Sequence, residues 1–177
     1  MLKLRVVPKI GQIFPGMPRL LIICWGVTIC NLILRPKLHH VLVTRLMDWM
    51  YSIRSLEAQL SQGHAYYIAF RDEKPCGYVS VQPEGPDGDG VMVWHLQKIY
   101  VMPSEQGRGL GRLLFETAVG HVCADRSAGE IRMELNVNRS NPAVGFYEHL
   151  GMKRLRQGDF HIGGGFYMND YIMGMTF

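Results

Sequence analysis

Several features that would fix a protein's class at once are missing from this chain. Its 177 residues hold only four cysteines, Cys24, Cys30, Cys76 and Cys123, with no CxxC pair and no zinc-ligand spacing. That argues against a disulfide-stapled or zinc-built domain and for reduced, mostly buried thiols in a cytoplasmic protein. Acid is absent from the first 47 residues, which carry seven bases: Lys3, Arg5, Lys9, Arg19, Arg35, Lys37 and Arg45. The formal net charge is +4, so the rest of the chain is net acidic, at −3. The early bases are dispersed, without the run of five or six that marks a nucleic-acid-binding arm. Also lacking is an apolar run of the roughly 20 residues needed to span a bilayer. The stretch Leu20 to Leu34 counts 15 residues and is broken by Thr28 and Asn31. It is followed by Arg35 and Pro36 instead of a small-residue cleavage site, unlike a secretory signal. Neither nucleic acid nor membrane is therefore expected as a partner, and the stretch reads as a buried helix or helix pair.

What is present fits a folded core. Hydrophobic residues make up 47% and charged residues 19%, and no repeat, low-complexity segment or long linker divides the chain, so residues 1–177 read as a single domain. Residues 2–7 form a candidate opening strand. Leu42, Leu46, Trp49, Met50, Ile53, Leu56 and Leu60 share one helical face, with Gly63 as the stop. Residues 65–70 and 76–81 read as a hairpin about the turn RDEKP, and PEGPDGDG (83–90) as a loop. In residues 91–101 the apolar alternation changes phase, from Val91 and Val93 to Trp94 and Leu96 and then to Ile99 and Val101. A phase slip inside one strand predicts a β-bulge. A helix with Leu110, Leu113, Leu114, Ala118 and Val122 on one face follows, then a strand over 131–138 with clean alternation. A short helix from about Asn141 to Leu150, the strand MKRLRQ, a glycine-rich loop at 163–165 and a last strand from Phe166 complete a mixed α/β order.

The chemistry concentrates between the bulged strand and the helix after it. Gln106-Gly107-Arg108-Gly109-Leu110-Gly111 is a strand-to-helix loop whose glycines let backbone approach a phosphate, next to a helix N-terminus that favours negative charge. A dinucleotide fingerprint would need glycine where Arg112 stands, and a Walker loop would need Gly-Lys-Ser/Thr; both are absent. The seven histidines include no HxxxH or HExxH pair, His39 and His40 being adjacent, so no metal site is expected.

The segment Leu96-Gln97-Lys98-Ile99-Tyr100-Val101-x-Pro103-x-x-Gln106-Gly107-Arg108-Gly109-x-Gly111 resembles motif A of the GCN5-related N-acetyltransferase (GNAT) family. Downstream, Asn141-Pro-Ala143-Val-Gly-Phe146-Tyr147-Glu148-His149-Leu150-Gly151-Met152 resembles its motif B. The resemblance runs from about Leu42 to Phe177, residues 1–41 match poorly, and the ending GGGFYMNDYIM is similar to the PaiA-type polyamine acetyltransferase branch. It implies an α/β acyltransferase fold, with a mixed, mostly antiparallel central sheet and helices on both faces. It also implies transfer of an acetyl group from acetyl-CoA to a primary amine of a small molecule, polyamines being favoured, by direct attack in a ternary complex. Main-chain groups of Ile99, Tyr100 and Val101 would pair with the pantetheine arm. The loop Gln106, Gly107, Arg108, Gly109, Leu110, Gly111 and Arg112 would cradle the pyrophosphate, and Asn138 and Asn141 would contact the pantetheine or adenosine side. Dimers are common in the family, so a homodimer fits the resemblance.

An alkylammonium, with a pKa of roughly 10.4, must lose a proton before it can attack a thioester. The oxyanion needs donors, which main-chain N–H groups of the bulged strand can supply. The departing thiolate needs a proton, and Tyr147 stands where the family carries its general acid. Where several relatives place a glutamate base, this strand has His95 and Gln97; Glu134 and Asp170 are rivals to His95, and many relatives use ordered water. Trp25, Trp49 and Tyr51 are candidates for the acceptor site or for the core. Two readings of other kinds stand beside the small-molecule enzyme: an acetyl-CoA-binding sensor or partner module with little turnover, and a protein or peptide acetyltransferase.

Overall fold

The computed structural model describes residues 1–7, 52–125, 129–163 and 166–177. The apolar stretch 20–34, His39 and His40, the start of the 42–60 helix, Trp25, Trp49, Tyr51 and the centre of the glycine-rich loop lie outside the described residues. The chain falls into two compact units, Met1–Pro75 and Cys76–Phe177.

In the first unit, β1 (Leu2–Val6) pairs antiparallel with β2 (Ala65–Arg71), Leu4 opposite Ala69. Between them lies α1 (Ile53–Ser61), capped by the Ser52 hydroxyl, which accepts from the Ser55 N–H at 3.2 Å. Replacing such a cap with alanine costs about 1 kcal/mol. Asp72 and Glu73 follow β2 with φ of 49° and 61°, the left-handed pair of a two-residue hairpin turn. Glu73 also binds Lys3 (2.7 Å) and Arg5 (2.5 Å) from β1.

The second unit begins inside β3 (Lys74–Pro86) and continues with β4 (Met92–Val101), a 3₁₀ turn at Pro103–Glu105, α2 (Leu110–Cys123), β5 (Ile131–Asn138), α3 (Ala143–His149), β6 (Lys153–Gly163) and β7 (Phe166–Thr176). Its strands run in the order β3-β4-β5-β7-β6. Only β4 and β5 are parallel; the other pairs are antiparallel. This mixed, mostly antiparallel sheet with helices is the α/β fold that the resemblance implied. β3 extends through the stretch expected to be loop as far as Pro86, because Glu84 is accommodated as an extra residue between the rungs Pro83–Trp94 and Gly85–Val93.

The α2 side of this sheet is apolar and closely packed. Leu110, Leu114, Ala118 and Val122 of α2 are buried, and Trp94 of β4 meets His121 edge to face at 5.2 Å. Gly77 on β3 admits them: a Cβ there would fall 3.1 Å from Leu114 and 2.8 Å from the Tyr100 carbonyl. Met133, Leu135 and Val137 of β5 alternate toward that core, with Met173 opposite Leu135. Among the described residues no helix is long and apolar enough to cross a membrane, and no group of three His, Cys, Asp or Glu side chains could hold a metal.

Candidate active site

The site lies wholly in the second unit, where two parallel strands part. β4 and β5 pair over four rungs only, from Met92–Ile131 to His95–Glu134. Beyond that rung β5 continues to Asn138 against β7, while β4 continues to Val101 against β3. A fork therefore opens between residues 96–101 and 135–138. The expected bulge sits at its root: Val81 pairs with Leu96 and Ser80 with Lys98, so Gln97 is the extra residue. The phase slip in the sequence has this cause.

The bulge also decides which main-chain groups face the gap. The Met102 N–H donates to the Cys76 carbonyl at 2.9 Å, which sets the phase of the antiparallel ladder. Tyr100 and Lys98 then direct their backbone groups to β3, and Ile99 and Val101 direct theirs into the fork. Of the three residues expected to line it with backbone, Tyr100 is the exception; its ring packs against Tyr78 at 5.2 Å.

At the open end, Gly107 and Gly109 hold φ of 73° and 79°, a region that costs other residues roughly 1–2 kcal/mol. Gly109 is the N-cap of α2 and leaves the N–H groups of Leu110, Gly111 and Arg112 without intrahelical acceptors. Gln106 donates from Nε2 to the Val101 carbonyl at 3.3 Å, tying the loop to the end of β4. Arg108 and Arg112 are exposed and only loosely engaged, at 3.8 Å from Glu105 and 3.9 Å from Glu116. Gly111 lies against α3, where a Cβ would meet the Phe146 ring at an ordinary contact distance of 3.4 Å. A diphosphate fits this donor-rich, acid-poor loop, and an extended amide-bearing arm fits the free edge of β4.

Asn138 and Asn141 already serve the backbone. The Asn138 side-chain oxygen accepts from the Ser140 N–H at 3.0 Å, and that of Asn141 from the Ala143 N–H at 2.9 Å. Together they build the β5–α3 turn, and the Asn138 amide also acts on Asp170. That turn sets α3, whose Tyr147 packs between Phe115 of α2 (6.4 Å) and Phe146 (5.3 Å). Burial pushes the Tyr147 phenol up to about 12, so it stays protonated across the neutral range.

The opposite face carries charge. His95 Nδ1 lies 3.1 Å from Glu84 Oε1, and this contact holds the Glu84 carboxyl below its ordinary range. Glu134, the rung partner of His95, is clamped: Arg132 Nε donates at 2.8 Å, Arg156 Nη2 at 2.7 Å, and Arg132 also reaches Asp87 at 2.7 Å. Both oxygens of Glu134 are thus engaged by guanidinium groups. Asp170, across the ladder from Asn138, is 1% exposed, and neither oxygen has a donor in hydrogen-bonding geometry. Burial pushes its carboxyl up, opposed by nearby Arg139 and the Asn138 amide. Lys98 gave no signal in the sequence: it is buried opposite Ser80, and desolvation brings its amine down to about 8.

Comparison with known proteins gives concordant results. The model of the family described as Acetyltransferase (GNAT) family matches residues 30–152. A mycothiol acetyltransferase of Catenulispora acidiphila is 34% identical over 94 residues, which take in 50% of this chain and 28% of that protein; the chain thus spans well under half the length of this relative. Among solved structures, the fold matches an acetyltransferase of the GNAT family from Streptococcus pneumoniae with a TM-score of 0.65 at 18% identity, over 100% of both chains. It also matches the PaiA N-acetyltransferase of Thermoplasma acidophilum in complex with coenzyme A, with a TM-score of 0.60 at 17% identity, over 99% of both chains.

Proposed function

The chain belongs to the acetyltransferase (GNAT) family, and on that premise we propose that it transfers an acetyl group from acetyl-CoA to a primary amine of a small molecule, with polyamines the favoured acceptors. The single observation that carries the reading is the fork: a β4 edge, unpaired among the described residues, that ends in a phosphate-type loop. Likeness to the PaiA N-acetyltransferase over nearly the whole chain supports the fold; the acceptor class rests on the resemblance of the ending GGGFYMNDYIM.

Acetyl-CoA, when bound, supplies a thioester carbonyl as electrophile. The residues of the chain do the rest. The N–H groups of Leu110, Gly111 and Arg112, with the Arg108 and Arg112 guanidinium groups, hold the pyrophosphate. Backbone groups of Ile99 and Val101 align the pantetheine as an added strand. With the pyrophosphate at the loop, the thioester comes to the root of the fork, where main-chain N–H of the bulged strand can stabilise developing negative charge on oxygen. His95, oriented by Glu84, takes a proton from the acceptor ammonium; the freed nitrogen forms the C–N bond as the C–S bond breaks, and the Tyr147 hydroxyl gives its proton to the sulfur. The nitrogen's remaining excess proton leaves to water and the phenol recovers its own, so that one amide, one thiol and one proton are formed.

Thiol release measured against polyamines, amino acids, aminoglycosides and peptides tests the reading. Acceptor-dependent release with a polyamine supports it; measurable CoA binding without release for any acceptor would instead favour a sensor.

A further inference from the structure

Among the described residues Lys3, Lys74 and Lys153 are exposed, as lysines usually are. Lys98 is the exception, at 4% exposed. Its place on β4 sets it beside the proposed chemistry.

The register fixes the face on which Lys98 lies. A Cβ on Gly77 would meet Leu110 and Leu114 of α2, so Gly77, Val79 and Val81 of β3 face that helix, and Tyr78, Ser80 and Gln82 face away from it. Across the ladder Gln82 pairs with His95 and Ser80 with Lys98. The bulge at Gln97 therefore makes His95 and Lys98 neighbours on one face, on rungs about 7 Å apart. Without the extra residue, two positions three apart would lie on opposite faces. Lys98 also belongs to the part of β4 that borders the fork, immediately before Ile99. A cosubstrate running there as an added strand lies about 4.8 Å from the β4 backbone, within the reach of a four-carbon stem.

Desolvation brings the Lys98 amine down to about 8, so at pH 7 its free base is on the order of a hundredfold more abundant than that of an ordinary lysine. The hydroxyl of Ser80, on the same rung, is fully buried and has no hydrogen-bond partner among the described residues. An acetamide at Lys98 would bring a carbonyl for it to donate to.

We propose that Lys98 is a self-modification site: with no acceptor amine present, Lys98 Nζ takes the acetyl group of acetyl-CoA held in the fork of the same chain. His95 accepts one proton from the Lys98 ammonium. Nζ then forms the C–N bond to the thioester carbonyl carbon as the C–S bond breaks, and the Tyr147 hydroxyl protonates the sulfur. The second excess proton on nitrogen leaves to water and the phenol recovers its own, so that one acetyl-lysine, one thiol and one proton are formed. An amide does not hand its acetyl group on, so the event occurs once per chain and removes the charge beside His95. This rests on the acetyl-transfer reading above and adds an acceptor inside the protein.

Peptide mass mapping of the wild-type protein after incubation with acetyl-CoA and no amine tests it, beside a parallel incubation with acetyl phosphate, a donor that does not need the fork. Acetyl-CoA should acetylate Lys98 about tenfold faster than Lys3, Lys74 or Lys153, at a rate independent of protein concentration. Acetyl phosphate should label the three exposed lysines first. In Lys98→Arg the fast gain of one acetyl group per chain should disappear. Lys98 left unmodified, modified by acetyl-CoA no faster than the exposed lysines, or modified faster at higher protein concentration overturns the proposal. Thiol release with an added amine while Lys98 stays unmodified sinks self-modification alone; measurable CoA binding with neither release nor modified Lys98 sinks acetyl transfer as well.

Discussion

Two buried carboxylates on one face of the sheet, Glu134 at the root of the fork and Asp170 at its tip, sit two rungs apart and live differently. Glu134 is 3% exposed yet held by two guanidinium groups, one of which also binds Asp87. Asp170 is as buried and has no such donor. Burial alone therefore does not set a carboxylate's surroundings; what separates the two is how closely the fold's cations clamp them. The root is a finished ionic network that fixes where β4 and β5 part. The tip is less complete: Asp170 has Arg139 and the Asn138 amide nearby, but no guanidinium clamp like the one on Glu134.

The most severe way to probe the contrast is chemical. Tyr147→Phe removes the proposed proton donor to sulfur, and kcat should drop by roughly 10²–10³-fold while CoA affinity, read by calorimetry, changes little. An unchanged kcat would show that protons reach sulfur by another route. Next in size, Glu134→Gln should destabilise the fold by about 2–3 kcal/mol in urea unfolding, because Arg132 and Arg156 lose their shared anion; the figure stays below that for a fully buried pair since Arg156 is half exposed. A neutral result would mean that the root network is not structural after all. Gly109→Ala should cost roughly 1–2 kcal/mol at φ 79° and weaken CoA binding through the displaced loop. Loss of stability without weaker binding would detach the loop from the cofactor.

The smallest effect is the most telling. The Asp170 carboxyl titrates above its unfolded value, so the folded state holds the proton more tightly and the ionised group opposes folding at neutral pH. Asp170→Asn should therefore raise Tm at pH 7, by about 2–4 °C for each kcal/mol of strain removed. That gain should shrink as pH falls through the folded pKa, where the wild-type carboxyl takes up its proton. Arg139 and the Asn138 amide, both facing the group, limit the gain, as do Asp159 and Glu134 through the cations they hold. A lower Tm would show that Asp170 has a stabilising partner and would erase the difference from Glu134.

The parts of the site legible in the sequence are those written locally. The phosphate-type loop depends on glycines at adjacent positions and on the helix that follows, and the bulge shows itself as a slip in alternation within eleven residues. What could not be read depends on rungs between distant strands. Glu134 and Asp170 look alike in sequence, and only the placement of Arg132 and Arg156 against one of them makes them different. Asn138 and Asn141 were expected at the cofactor, and the turn they build ahead of α3 was not legible. Tyr100 lies within the expected cofactor edge, yet the bulge rotates its backbone to β3. Lys98 sits where alternation predicts an apolar side chain or a surface one, and its buried position opposite Ser80 follows from the register shift at Gln97.

The four-rung pairing of β4 with β5 has a further consequence. From Leu96 to Val101, β4 has a neighbour on only one side among the described residues, so the interior of the sheet contains an edge. Exposed edges invite pairing with other chains, and a cosubstrate that runs along this one completes the sheet as a missing strand would. Slow amide hydrogen exchange at Ile99 and Val101 should then appear only with CoA bound, whereas Tyr100, already bonded to β3, should be protected in both states. In the proposed binding mode the cosubstrate would also be a removable piece of the architecture, and each turnover would open and close a seam in the sheet.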